Sequence, residues 1–442
     1  VPASPPPPAA GVLCLDVGST WTKGALIAPD GELLGTAQHA TTPPEVLTGI
    51  AAVTSALGAP PGAEVLACSS AGGGLRLAVV GQERLVSAEA GYRVALSAGA
   101  KVVHVSAGAV ESLRPLRADR PDVVLLVGGT DGGDESVLLH NARRLAENRI
   151  SVPIVLAGNA HARAKALGLL SDRTVVATDN VLPDVGELNP GPARQAIRAA
   201  FLQHVIGGKG LSRGKRFRSL VRTVTPDAVL VGVSRLAHLL ATDDDPGAVL
   251  VVDVGGATTD VYSAVSTVEE TGATVALPAD RRTVEGDIGM RWSAPGIVTE
   301  SRAEHLLPDD ALLPAAKRRA TDVDFIPSTP DESEVDTQLA ALAATIAVRR
   351  HLRLVDNRLG PRGAGLLVLS GGVFRHATPA SLAQVEESLR ADPVLRPILR
   401  TARITVDRDY VLAPAGLLTE AGHPEAANRL LGGLSQAWTT SR

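Results

Sequence analysis

Two short runs in the chain carry the residue types that phosphate chemistry needs: LDVGST from Leu15 and, 237 positions later, VDVGGATTD from Val252. In each, an aspartate closes an apolar run, a glycine follows two places on, and hydroxyl residues open the next apolar run. Asp16, Gly18, Ser19 and Thr20 form the first set, and Asp253, Gly255, Gly256, Thr258 and Thr259 the second. Glycines let backbone N–H groups approach phosphate oxygens, and serine or threonine hydroxyls add donors. A strand-end carboxylate can face a hydrated Mg²⁺ or an attacking water. One Asp-Val-Gly run reads equally well as an ordinary turn. Two in corresponding positions of two halves point to a paired phosphate clamp. A third signature, LSGGVFRH from Leu369, sets Gly371 and Gly372 where a strand would turn into a helix and a nucleotide base could rest.

The elements that must position these residues follow from the apolar patterning. Residues 12–16, 21–27 and 32–38 read as a β-meander with turns at Gly18 and Gly31, followed by a helix over 43–57 and a strand over 64–68. From Asp122 the pattern alternates: strands at 123–127, 152–157 and 174–177, helices at 135–148 and 160–169. Such alternation predicts βαβ units, a parallel sheet and a separate module. A helix over 192–206 leaves it. Strands at 249–254 and 258–265 restart the opening pattern, and 303–333, rich in Pro and Asp, reads as loop. Leu339, Leu342 and Ile346 mark a helix face running to about residue 358, and 365–369 is a buried strand. The expected division is a tail (1–10), a first lobe (11–117), an inserted α/β module (118–185), a helical connection completing the first lobe (186–247) and a second lobe (248–442).

Composition narrows the functional classes. At roughly 150 residues per domain, 442 residues suggest about three domains. The two cysteines, Cys14 and Cys68, exclude a disulfide scaffold and a cysteine metal cluster and suit a reducing compartment. Aromatics are 2%, which disfavours the stacking platforms of single-strand nucleic-acid binders. With 43 basic and 47 acidic residues the net charge of −4 attracts neither nucleic acid nor anionic membrane. No apolar run reaches the length of a membrane span, and VPASPPPPAA lacks the regions of a secretory signal, so a cytoplasmic location is expected.

Other residues carry two readings each. GGTDGG, Gly128 to Gly133, ends a strand and precedes a helix, which suits an anion cradle, but Asp131 and Asp134 would repel phosphate and Asp134 suits a helix cap. Glu285 and Asp287 read either as an acidic pair at the cleft or as a solvated turn. Lys23 reads first as a surface lysine, second as a phosphate contact. The ten histidines lack metal spacing and read as packing or surface residues. The basic run Arg213, Lys215, Arg216, Arg218, Arg222 reads as a solvated linker ahead of an acidic-partner surface, and Asp243, Asp244 and Asp245 as a loop.

The three glycine signatures resemble the two phosphate motifs and the adenosine motif of the actin, Hsp70 and sugar kinase superfamily of ATPases. That resemblance implies an α/β fold of two ribonuclease H-like (actin-like ATPase) lobes with an inserted parallel α/β module and ATP in the cleft. It implies Asp16 as the Mg²⁺-organising residue, Gly18, Ser19 and Thr20 near the β- and γ-phosphates, and Asp253 aligning the hydrolytic water. Gly255, Gly256, Thr258 and Thr259 would then serve the γ-phosphate, and Gly371 and Gly372 adenosine. Over most of the chain, VVLLVGGTDGGDESVLLHNARRLA, PIVLAGN, DNVLPDVGELNPGPARQAIRAAF, VVDVGGATTDVYS and RRTVEGDIGMR resemble the MutL (GlmL) family. These are accessory proteins associated with coenzyme B12-dependent glutamate mutase and related aminomutases. The resemblance implies a slow Mg²⁺-dependent ATPase that acts as chaperone or reactivase on the subunits of such a mutase. A small-molecule kinase and a filament-forming actin relative are the alternatives on the same fold; a nicotinamide enzyme is disfavoured because GGTDGG lacks the GxGxxG spacing.

Overall fold

The computed structural model describes residues 11–18, 20–70, 75–83, 88, 90–91, 94–95, 100–201, 203, 215–242, 247–266, 280–355, 359 and 363–439. Strand β1 (Val12–Val17) is buried along its whole length, as suits a central strand whose sequence, VLCLDV, is apolar but for Asp16. It pairs antiparallel with β2 (Trp21–Ile27), which pairs antiparallel with β3 (Leu33–Ala40). β3 alternates partly covered and exposed positions, the pattern of an edge. β4 (Glu64–Ser69) lies parallel to β1 on its other side.

The chain then builds a second sheet, wholly parallel: β5 (Arg76–Gly81), β6 (Lys101–Ala107), β7 (Val123–Leu126), β8 (Ile154–Leu156) and β9 (Val175–Ala177), in the order β6-β5-β7-β8-β9. The insertion's sheet therefore starts at Arg76, not at residue 118, and has five strands. β5 is an interior strand, between β6 and β7, and its run RLAVVG was hidden in sequence between glycine- and alanine-rich segments with no helix periodicity to set it off. Nor is the insertion a separate body. Leu77, Val79, Val123 and Leu125 share one continuous apolar core with Leu13, Leu15 and Val17 of β1 and with Ile197 of the helix Pro190–Ala200.

β10 (Val221–Val224) returns to β4 and closes the first sheet in the order β10-β4-β1-β2-β3. β11 (Val249–Val254), β12 (Thr259–Ala264), β13 (Asp280–Glu285), β14 (Leu366–Ser370) and β15 (Arg403–Val406) form the third sheet, ordered β13-β12-β11-β14-β15. Numbered within each lobe, both sheets run 3-2-1-4-5, with strands 1 to 3 a meander and strands 4 and 5 parallel to strand 1. The protein is thus an α/β molecule of two ribonuclease H-like lobes, the actin-like arrangement.

Two helices, Thr225–Leu240 and Leu412–Glu420, lie between the lobes and bury Cys14, Ile27 and Leu66 from one sheet against Val249, Val251 and Tyr262 from the other. They cross at backbone contact. A Cβ on Gly232 would lie 2.1 Å from the Leu412 carbonyl oxygen, and one on Gly416 1.8 Å from that of Ala228. The C-terminal part of the chain therefore serves both lobes, not the second alone. The stretch 303–333 is loop only at 304–312 and 322–329: between and after these it holds the helix Leu313–Thr321 and the first turn of Pro330–Leu354. Pro314 and Pro330 sit in first helical turns, where no N–H is needed, while Pro308 and Pro327 lie in the connections between helices.

Candidate functional site

The repeat in sequence is a repeat in hydrogen bonding. Gly18 N–H donates to the Trp21 carbonyl at 3.0 Å, and Gly255 N–H donates to the Thr258 carbonyl at 2.9 Å, so the two turns close alike. Val17 stands opposite Thr22 as Val254 stands opposite Thr259, and Asp16 opposite Lys23 as Asp253 stands opposite Asp260. The tips face each other across the lobes: a Cβ on Gly256 would lie 3.8 Å from Thr20 Oγ1. The second turn is braced from behind, the Gly255 carbonyl accepting from Met290 N–H at 2.9 Å and that of Gly256 from Arg291 and Trp292 N–H. Gly371 completes the group from β14. Its φ of 117° and the 2.4 Å that would separate its Cβ from the Val254 carbonyl oxygen both exclude a side chain. Gly372, by contrast, faces open space and begins the short helix Gly372–His376.

The carboxylates differ in setting. Asp16 is 5% exposed; its Oδ1 accepts from the hydroxyl of Thr225 and lies 3.6 Å from Cys68 Sγ, and its Oδ2 accepts from Tyr410 at 2.6 Å. Asp253 is half-buried at the end of β11. Burial pushes its carboxyl above the ordinary aspartate range; Lys23 opposes this, Asp260 and Asp16 add to it, and a hydrogen bond with Ser370 opposes it. Lys23 therefore belongs to the site and is no surface lysine: its ammonium lies 3.6 Å from the centroid of the Tyr410 ring. Asp260 is neutralised by Arg282, whose Nε donates to it at 2.9 Å. Next to Asp16 a cavity of about 260 Å³ is lined by Lys23, Gln38, Arg375, Asp409 and Tyr410 among others.

Several candidates leave the site. The side chain of Thr259 is fully buried within β12, its hydroxyl without a protein partner among the described residues, whereas that of Thr258 donates to Asp260 at 3.0 Å. GGTDGG is braced internally: Asp131 Oδ1 accepts from Ala160 N–H at 2.7 Å and from Asn180, and Asn159 bridges Gly132 N–H and the Gly133 carbonyl. Asp134 accepts from Ser136 N–H at 3.0 Å from one residue ahead of the N-cap, Glu135, of the helix Ser136–Glu147, so it braces the helix start without being its cap. Glu285 and Asp287 are held with Glu300 around Arg350, at 2.7, 2.9 and 2.6 Å. His351 lies between Ser263 and Thr283, its imidazole pushed down to about 3 by burial, a neutral packing residue. Among the described residues no His, Cys, Asp or Glu group of three or more is placed to hold a metal. Ser19, Arg213, Asp243, Asp244 and Asp245, and the side chains of Lys215, Arg216 and Arg218, lie outside the described residues. Arg222 stands 3.9 Å from Glu64.

Two carboxylates, two glycine turns, a lysine and five hydroxyl-bearing side chains (Thr20, Thr225, Thr258, Ser370 and Tyr410) converge here, a set that fits a nucleoside triphosphate and a Mg²⁺ that keeps most of its waters. Thr225, Ser370 and Tyr410 are functional neighbours that sequence reasoning missed. Ser370 had a signal, standing in the SGG run; Thr225 and Tyr410 reach Asp16 only through tertiary folding.

The family model described as MutL protein matches residues 12–433. Among curated proteins the chain is 33% identical to Protein MutL of Clostridium tetanomorphum over 454 residues, covering 95% of this chain and 98% of that one. Among solved structures it is similar to nucleotide-free acetone carboxylase (15% identity, TM-score 0.39, 86% of this chain and 67% of that one). A ROK family glucokinase from Streptomyces griseus with glucose and AMPPNP is another (13%, TM-score 0.32, 94% and 98%). No described helix is long and apolar enough to cross a membrane.

Proposed function

Since the chain belongs to the MutL family, we propose that it is an ATP-binding accessory protein that hydrolyses ATP slowly and maintains a coenzyme B12-dependent aminomutase. The observation that carries the nucleotide part is the pair of turns with the same internal hydrogen bond, facing each other from two lobes of the same topology. Gly18, Thr20, Gly255, Gly256 and Thr258 would hold the phosphates, with Gly371 and Gly372 beside the nucleoside. Asp16 would hold the waters of Mg²⁺, which when bound screens phosphate charge and polarises the phosphoryl group. Asp253 is the residue to orient a water and accept its proton, with Lys23 holding the carboxylate in its charged form until then.

The accessory role rests on family membership. Radical mutases lose adenosyl radical, leaving damaged cofactor in the site, and a protein whose affinity for the mutase differs between nucleotide states would promote exchange. Because the turns carrying Thr20 and Gly256 come from different lobes and face each other closely, phosphate held between them would couple nucleotide state to the separation of the lobes. Titration calorimetry with ATP is expected to show binding that strengthens with Mg²⁺; no binding heat for any purine nucleotide would overturn the nucleotide reading. Affinity capture from the native host with ATP, ADP or neither is expected to recover mutase subunits in one state preferentially. Recovery indifferent to nucleotide would overturn the coupling.

A further inference from the structure

We propose that Tyr410 is a positioning residue that controls access of a divalent cation to Asp16, its phenol occupying the carboxylate oxygen that a cation's bound water would take. The inference rests on the nucleotide-site reading above. Asp16 is 5% exposed and both of its oxygens are engaged, Oδ2 by the Tyr410 hydroxyl at 2.6 Å and Oδ1 by Thr225. The phenol thus fills the position on Oδ2 that a cation's bound water would take.

The way Tyr410 is held shows what could release it. Its φ is 57°, in the left-handed region that a bulky side chain occupies only under constraint. The constraint is local: Asp407 Oδ1 accepts from Val411 N–H at 2.9 Å, fixing the turn on which Tyr410 stands. Its ring also has a cation from each lobe, Lys23 at 3.6 Å and Arg375 at 5.7 Å from the centroid. Lys23 lies on β2 of the first lobe, and Arg375 follows the SGG turn of the second. An arriving phosphate forms charge-assisted hydrogen bonds with these cations that are stronger than their attraction to a ring face. Drawing Lys23 and Arg375 onto phosphate removes the contacts that hold the ring, the phenol swings off, and Asp16 becomes open to the cation. Nucleotide and metal thus enter together, and metal alone is refused.

The test is ATP affinity measured by calorimetry across a Mg²⁺ series beginning in EDTA. In Tyr410→Phe, which keeps the ring and removes the hydroxyl, the Mg²⁺ concentration giving half the gain in affinity is expected to fall three- to tenfold, with affinity in EDTA within twofold of wild type. Asp16→Asn should abolish the difference between tyrosine and phenylalanine at this position. An unchanged Mg²⁺ midpoint, or an equal change with and without Mg²⁺, overturns the proposal while leaving the nucleotide site standing. Failure of wild type to bind ATP at all overturns both. Should Tyr410→Phe not fold by circular dichroism, fluorotyrosine-labelled wild type gives the answer. The chain has three tyrosines, and the Tyr410 ¹⁹F resonance, assigned by replacing Tyr92 and Tyr262 in turn, is expected to move with ATP plus Mg²⁺ but not with Mg²⁺ alone. A resonance that stays fixed, or one that moves with Mg²⁺ alone, overturns it.

Discussion

Asp16 and Asp253 occupy equivalent places in two copies of one hairpin, yet their neighbours assign them different work. Opposite Asp16 stands Lys23; opposite Asp253 stands Asp260, whose charge is taken up by Arg282. Asp16 is enclosed by hydroxyls, whereas Asp253 remains partly open and its carboxyl is raised by burial. A half-open carboxyl with a raised pKa is suited to take a proton from water. Asp253→Asn is therefore expected to bind ATP within a fewfold of wild type and to lose turnover by about 100-fold or more, since an amide fits the turn but accepts no proton. Single-turnover hydrolysis measures this, and an unchanged rate would remove Asp253 from the catalytic set. Because the shift is upward, the wild-type rate should decline on the acid side at a higher pH than an ordinary aspartate would give, and that limb should be absent from Asp253→Asn.

At the level of elements, the lobes are joined by crossed helices whose contact depends on two missing side chains. Thr225–Leu240 and Leu412–Glu420 approach at Gly232 and Gly416, where a Cβ would sit 2.1 Å and 1.8 Å from carbonyl oxygens of the opposite helix. These are backbone obstacles, so relief requires moving a helix. Gly416→Ala would gain helix propensity of about 1 kcal/mol in a free helix. Here overpacking should outweigh that gain, for a net loss of about 1–3 kcal/mol. Thermal denaturation checks the sign: an unchanged or raised Tm would show that the helices slide freely. The same crossing carries Thr225 and, just before Leu412, Tyr410, so its loosening should also disturb the contacts around Asp16.

Across the whole molecule the helix that leaves the insertion is tied to the inter-lobe helices through a buried carboxylate. Arg198, on Pro190–Ala200, places its Nε 2.6 Å from Asp227 Oδ2, an ion pair close in distance but poorly aligned as a hydrogen bond. Asp227 is fully buried, and burial pushes its carboxyl up to about 6 despite Arg198 and Arg282. Between its ordinary pKa of 3.8 and about 6 the folded state holds a proton that the unfolded state has lost, so this group's contribution to stability falls as pH rises through that window. A shift of this size corresponds to about 3 kcal/mol. Denaturant unfolding of wild type and Asp227→Asn at pH 4 and pH 7 is expected to show wild type losing stability relative to the variant by up to that amount. A constant difference between the two would show that the carboxyl is not perturbed.

What the sequence determined by itself was local and covalently near: the two turns, the strand-end aspartates, the meander, and the glycine-rich end of β14. Glycine turns and apolar runs of this kind are fixed by φ preferences and burial within a few residues, and a repeat makes them legible. The start of the insertion at Arg76, the core it shares with Leu13 and Leu15, and the sharing of the last helices between lobes were decided by packing between distant segments. So was the state of Asp16. Thr225 and Tyr410 close on it from far along the chain, Lys23 is turned from surface to site by Tyr410, and Arg350 neutralises Glu285 and Asp287. Charge and hydrogen bonding act through space, so no spacing along the chain encodes which of two equivalent aspartates is enclosed and which is left facing water.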